Sequence, residues 1–536
     1  VRWLLLLLFL FTLFSIFTYK HYGITWDEKI EILRGSYLLG YLSGKVSDDT
    51  YFNMIKEGFA YHHLYPAILE VGSVFLNFLS SKQFAQLYDL LFKSENLSKQ
   101  FAQIETSKES ELYDLLLNYE NIHLLNLLFN GFLLIAISYT LFYRIYKIPL
   151  YAILGVIFIL LTPRIIGHMP TNLKDIPFAT FYFTTICMII FTFNKPSILK
   201  ILILIPFFFL TQSSRFIGYT IYPIYLLYSI VYYIYNKPQE SFKTFITYRI
   251  FEVIIIFMSS SFLTLITWPY LGKNYFQGML ELVKISSKYP FHAPFLTAGK
   301  DIYPGQSVAF YIFAWYFAIT PVPIFLGLIL NLLYFKRWNL INAFMWLIVL
   351  FITMLFLIIK PHLYDELRQI LFYQVLLSCL SAFGFIEFLR NSKHKIVKFV
   401  IILIFGIFGL KLIYDLKKLH PYEYVYFNEL VGGLKGASNK FETDYWGACQ
   451  KEAFNYLIKN RDLTNKKLYV VFGHGVGDPI YYSHRYKFYF SYDDVDYAIA
   501  IKRWGIADRF LKDSNYSLIY EVKRDGVPLC FVFERK

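Results

Sequence analysis

The chain has 536 residues, of which 57% are hydrophobic and only 17% charged, and its mean hydropathy is +0.44. Soluble domains carry about 25% charged residues and cannot bury that much apolar surface, so composition excludes an ordinary water-soluble protein and indicates a lipid solvent. The net charge of +14 does not imply nucleic acid here, because cytoplasmic loops of membrane proteins concentrate Lys and Arg.

The first apolar run, Trp3 to Phe17, follows Arg2. Tyr19-Lys20-His21-Tyr22 comes next rather than a small-residue cleavage site, so the run reads as a retained signal-anchor helix. A polar region, 19–121, follows. Within it, 80–118 holds a duplication: Ser81-Lys82-Gln83-Phe84-Ala85-Gln86 recurs as Ser98-Lys99-Gln100-Phe101-Ala102-Gln103. Two copies do not make a solenoid, and the insert reads as amphipathic helix lying on a surface.

Further apolar runs lie near 122–143, 149–166, 176–193, 198–214, 216–235, 250–268, 308–334, 339–359, 369–389 and 396–413. Each is about long enough for a hydrocarbon core of ~30 Å. The stretch 198–235 is divided at Thr211-Gln212-Ser213-Ser214-Arg215, since that much polarity is costly in mid-bilayer. The expected fold is a polytopic α-helical membrane protein of about eleven spans. Alternate loops carry Arg144/Lys147, Lys195/Lys200, Lys237/Lys243/Arg249, Lys336/Arg337 and Arg390/Lys393/Lys395/Lys398, which assigns them and the N-terminus to the cytoplasm. The loops 19–121, 164–175, 268–307 and 360–368 and the tail then share the external face.

After about 415 the pattern changes. Trp446 to Lys459 reads as an amphipathic helix, Leu468–Phe472 and Tyr497–Ile501 as strands, and Leu518–Val522 with Leu529–Phe533 as a hairpin around Arg524-Asp525-Gly526. The expected division is therefore 1–414, membrane domain, and 415–536, a small α/β domain. The four cysteines form no zinc spacing, and Cys449–Cys530 is open to disulfide formation on an oxidising side without being required by its spacing.

The external loops concentrate ionisable residues at helix ends. Thr25-Trp26-Asp27-Glu28 offers adjacent carboxylates beside an indole, a general-base arrangement that an ordinary helix cap also explains. Arg164, His168, Asn172, Lys174 and Asp175 break the positive-inside trend. Arg215 sits between apolar helices, and an intramembrane arginine points to an anionic partner. Lys360 to Arg368 mixes both signs, with Asp365 and Arg368 able to bind substrate and phosphate. His292 lies in the lid-sized 268–307 loop. His62-His63 can touch a head group, but neighbours at i, i+1 do not share a helix face, so no metal site is assigned.

Carboxylates and cations on one face suit a substrate with a phosphate and a hydroxyl. In this respect the chain resembles the GT-C membrane glycosyltransferases, especially glycosyltransferase family 39. The resemblance rests on Trp26-Asp27-Glu28, on Asn172-Leu173-Lys174-Asp175-Ile176-Pro177-Phe178, on Arg215, and on the stretches 364–372, 420–430 and Asp444-Tyr445-Trp446-Gly447. It implies transfer of a sugar from a polyprenyl-phosphate donor to a lipid, glycan or protein hydroxyl, by inversion. Asp27 would be the base, with Glu28 and Asp175 in support. Lys174, Arg215 and Arg368 would hold the donor phosphate, and His62, His63, His168, His292 and Asp365 would line the substrate. A divalent cation is an open requirement. The competing reading is a transporter or flippase for a lipid-linked or anionic solute. Val1 reads as a GUG start, which favours a bacterial inner membrane with the active face periplasmic.

Overall fold

A computed structural model of the chain describes residues 1–42, 44, 119–273, 275–470, 487–489 and 495–536. The duplicated insert and His62-His63 lie outside the described residues.

The protein is mostly helical. Among the described residues, seven helices are long and apolar enough to cross a membrane: Tyr119–Tyr146, Asp175–Thr192, Phe216–Asn236, Phe242–Thr267, Leu340–Ile359, Arg368–Asn391 and Lys395–Leu419. An eighth candidate is a broken pair, Val308–Ile319 and Val322–Leu333, bent by 112°. Shorter apolar helices, Arg2–Thr18, Pro149–Leu160 and Ser197–Gln212, occupy the remaining apolar runs. Every run of the sequence forms helix, but length alone qualifies seven or eight as spans.

The breaks have local causes. After Gln212 the polar side chains turn onto the helix Phe242–Thr267: Gln212 Nε2 donates to Thr264 Oγ1 at 2.6 Å, and Ser213 Oγ pairs with the same hydroxyl at 2.7 Å. The expected single run 308–334 is instead cut at Thr320-Pro321, because Pro321 has no N–H to continue the ladder. Asn428 covers the exposed carbonyls, its side-chain amide donating to Phe317 O at 2.5 Å and Thr320 O at 2.8 Å. The 268–307 loop contains the helices Pro269–Lys273 and Tyr275–Ser287 and a hairpin of β1 (Phe295–Thr297) and β2 (Lys300–Ile302).

The helix Lys395–Leu419 runs past 414, and the chain turns at His420. Beyond it come the helix Gln450–Asn460 and the strands β3 (Lys467–Val470), β4 (Lys487–Tyr489), β5 (Tyr497–Ile501), β6 (Tyr516–Arg524) and β7 (Val527–Arg535). They form one sheet in the order β4-β3-β5-β7-β6, with the first three parallel and β7 antiparallel to both of its neighbours. Every residue of β5 is buried, as a central strand requires. Asp525 (φ 50°) and Gly526 (φ 74°) make the two-residue β6–β7 turn, where positive φ at both positions matches the strand twist. Cys449 and Cys530 are joined in a disulfide that ties the start of Gln450–Asn460 to β7. One apolar core runs from the long helices into this sheet, so the tail is packed on the helices rather than appended to them.

Candidate functional site

Loop and tail segments converge where the helices Arg2–Thr18, Pro163–His168, Asp175–Thr192 and Arg368–Asn391 begin or end. Two glycines allow the approach. A Cβ at Gly23 would meet Ala448 O at 2.0 Å, and one at Gly167 would meet Tyr424 N at 2.3 Å. The tail stretch 420–450 therefore lies directly against the segments that follow the helices Arg2–Thr18 and Pro149–Leu160, with Trp26 N–H donating to Trp446 O at 3.3 Å.

Arg368 is the centre of the cluster. Its side chain is only 4% exposed, and the guanidinium reaches Asp27 at 3.0 Å, Asp175 at 3.2 Å and Asp365 at 3.0 Å. Tyr364 and Trp446 face it at 5.5 and 5.1 Å. Asp175 also binds Arg215. Its helix is started by Asn172, whose Oδ1 accepts the Asp175 N–H at 2.7 Å while Nδ2 donates to the Asp175 carboxylate at 3.1 Å. Asn126 holds that turn in place by donating to Met169 O at 2.7 Å. Asp365 also binds Arg503, from the segment after β5, and Arg503 donates to Tyr445 O at 2.8 Å. Trp26 and Trp504 stack with centroids 6.0 Å apart, and both rings face that guanidinium.

Other pairs surround this centre. Lys174 Nζ meets Glu31 at 3.1 Å. Arg164 Nε meets Glu366 at 2.9 Å. Tyr445 donates to Glu366 at 2.8 Å and lies 2.8 Å from His168 Nε2. Burial pulls the His168 imidazole below its usual pKa, so the neutral ring donates from Nε2 to the Tyr445 oxygen. Burial pushes Glu442, 3.4 Å from Arg503, up to about 7, against the opposing pull of that arginine. Asp444 is raised by burial while accepting hydrogen bonds from Tyr424 and from the Trp446, Gly447 and Cys449 amides.

The sequence-derived candidates divide accordingly. Asp27, Asp175, Lys174, Arg215, Arg368, Asp365 and His168 are brought into this connected region. Glu28 sits beside it, with partners of its own. It is fully buried, its carboxylate accepts the Thr25 N–H at 3.2 Å, and it contacts His123 at 2.5 Å. His292 stands exposed in the 288–294 stretch, outside the ion pairs. Asp444, Cys449 and Cys530 place ligand-type atoms close together, but the two sulfurs are bonded to each other.

Glu31, Glu366, Glu442, Tyr445 and Arg503 were missed as site residues. Glu31 carried a readable signal, four residues after Asp27 in the first turn of the helix Glu28–Leu42. Arg503 follows the carboxyl end of a parallel strand, the edge where α/β sheets place ligands.

Accessibility singles out two groups. Asp27 has the most exposed side chain of the paired acids here, at 19%, while Asp175 and Asp365 are at 1%. Arg215, at 12%, is more exposed than Arg164, Arg368 and Arg503 in the same cluster, and it lines a cavity of about 90 Å³ with Tyr289, His362, Tyr364 and Gln369. The chain Asp27–Arg368–Asp175–Arg215 thus has a reachable carboxylate at one end and a reachable guanidinium at the other, held rigid by buried pairs. Such an arrangement can orient a hydroxyl and an anion together. No protein-family model matches the chain, and no curated protein matches it in sequence.

Proposed function

We propose that the protein is an integral membrane glycosyltransferase that moves a sugar from a polyprenyl-phosphate donor to a hydroxyl acceptor on the external face. The observation that carries this reading is the Asp27–Arg368–Asp175–Arg215 chain. In the reaction, the acceptor oxygen bonds to the anomeric carbon from the side opposite the lipid phosphate, whose C–O bond breaks, and the configuration inverts. Asp27 accepts the hydroxyl proton. Arg215, with Lys174 and Arg368 behind it, stabilises the departing phosphate. Asp175 positions two of those cations. The acceptor is a lipid, glycan or protein hydroxyl, and no step requires a metal, although a divalent cation at the phosphate is compatible with it.

This reading includes eleven crossings, a cytoplasmic N-terminus and a bacterial inner membrane. The five basic loops support the orientation. The Cys449–Cys530 disulfide supports an oxidising compartment for the tail. The broken pair Val308–Ile319 and Val322–Leu333 is the one feature that a transporter would share. Its carbonyls are covered by Asn428 rather than turned to a solute path, which favours the enzyme. The test is transfer of labelled sugar from a polyprenyl phosphate by purified protein in detergent, with no gradient. Asp27→Asn should lower it at least 100-fold and Arg215→Ala at least tenfold. If both variants transfer at the wild-type rate, the assignment fails.

A further inference from the structure

The helix Tyr275–Ser287 carries apolar residues on two opposite sides. Gly278, Leu282 and Ile285 recur at i, i+4 and i+7, and this side is packed: Leu282 is buried with Trp268 and Leu271, and Ile285 lies against that cluster. Phe276, Leu280 and Val283 repeat the same spacing two residues earlier, about 200° round the helix, and are 83%, 73% and 49% exposed. Gln277, Glu281 and Lys284 share one edge between the two sides. A helix facing water puts polar residues opposite its packed side. The helix Gln450–Asn460 does so, burying Ala453, Phe454 and Leu457 while Asn455 and Lys459 stand exposed.

Place and charge say what covers the exposed side. Leu265, in the last turn of the membrane-length helix Phe242–Thr267, packs on the same cluster as Leu282, so Tyr275–Ser287 is fixed at the end of a span. Met258, Phe262 and Ile266 of that span are exposed, so its apolar outer surface continues up to the foot of Tyr275–Ser287. Lys284 and, just past the helix, Lys288 are exposed as well. Long lysine side chains on the polar edge can hold their ammonium groups at lipid phosphates while apolar neighbours sit deeper. The last turn also supplies Ile285 and Ser286 to the wall of the Arg215 cavity.

We propose that Tyr275–Ser287 lies in the phospholipid leaflet at that end of the span, with Phe276, Leu280 and Val283 among the acyl chains and Lys284 at the phosphates, and stands between the leaflet and the Arg215 cavity. The test is spin labelling of single cysteines in the full-length chain, with the buried Cys187 and Cys379 replaced by alanine, in vesicles of phosphatidylethanolamine and phosphatidylglycerol. Collision with oxygen, which concentrates in lipid, is compared with collision with a nickel chelate, which stays in water. Met258→Cys gives the lipid reference and Asn455→Cys the water reference. The oxygen-to-nickel ratio at Phe276→Cys, Leu280→Cys and Val283→Cys should exceed that at Gln277→Cys and Lys284→Cys at least about threefold. Equal ratios at the five positions overturn the proposal, and at the level of Asn455→Cys they would mean a helix in water. Labels at Phe276→Cys and Leu280→Cys that neither reagent reaches would mean that a protein partner or a second copy covers this side, which overturns it equally.

Discussion

Replacing Arg368 by Met is the most informative single perturbation of the ion-pair cluster. The guanidinium is nearly inaccessible and faces three carboxylates at 3.0–3.2 Å. Removing one partner of a buried pair costs ~3–5 kcal/mol, because the remaining charge is left in a medium that solvates it poorly. Here the loss is partly shared. Asp175 keeps Arg215 and Asn172, and Asp365 keeps Arg503. The expected destabilisation is therefore at the lower end, about 3 kcal/mol. Arg368→Lys should cost less but not zero, since one ammonium cannot span three carboxylates in a planar fork. Adding Asp27→Asn to Arg368→Met should recover about 1–2 kcal/mol, the coupling of a contacting pair. The assay is unfolding in detergent followed by far-ultraviolet circular dichroism. If Arg368→Met unfolds with wild-type stability and shows no coupling to Asp27→Asn, the cluster is solvated and the reasoning is wrong.

Three further outcomes are expected. Glu442 titrates at about 7 in the folded protein against 4.5 ordinarily, so its contribution is full below pH 4.5 and lost as pH rises through 7. Glu442→Gln should remove a decline of about 3 kcal/mol across that window, measured as unfolding stability against pH. Cys530→Ser opens a loop with a sequence separation of 81 residues, which on loop entropy alone costs roughly 4–5 kcal/mol. The tail should then become protease-sensitive, and unchanged cleavage would show that the bridge is dispensable. Single cysteines at Ser392 and Ser514 should label differently in spheroplasts with a membrane-impermeant maleimide: only Ser514→Cys should react, and the reverse pattern would refute the assigned orientation.

Much of the architecture was legible because lipid imposes a simple rule. Twenty apolar residues with no charge have few alternatives to helix, and the polar pentad at 211–215 marked a true break. The tail strands were readable from alternation and from Asp525-Gly526. What local pattern does not carry is partnership across sequence. Arg503 and Asp365 are 138 residues apart, and His123 and Glu28 are 95 apart. Glu28 stands next to Asp27 in sequence, but its carboxylate turns to the Thr25 N–H and to His123, a partner that the local pattern does not announce. The cut at Pro321 was hidden inside a continuous apolar run, because its stabilising partner, Asn428, lies more than a hundred residues away.

The central claim is that the cluster around Arg368 holds a lipid phosphate beside Asp27. It is tested most directly by an experimental structure of the full-length protein with a bound polyprenyl phosphate. The account predicts phosphate oxygens within hydrogen-bond reach of Arg215, on the cavity lined by Tyr289 and His362. A phosphate bound away from Arg215, Lys174 and Arg368, with those cations still closed on Asp175, Glu31 and Asp27, would contradict it.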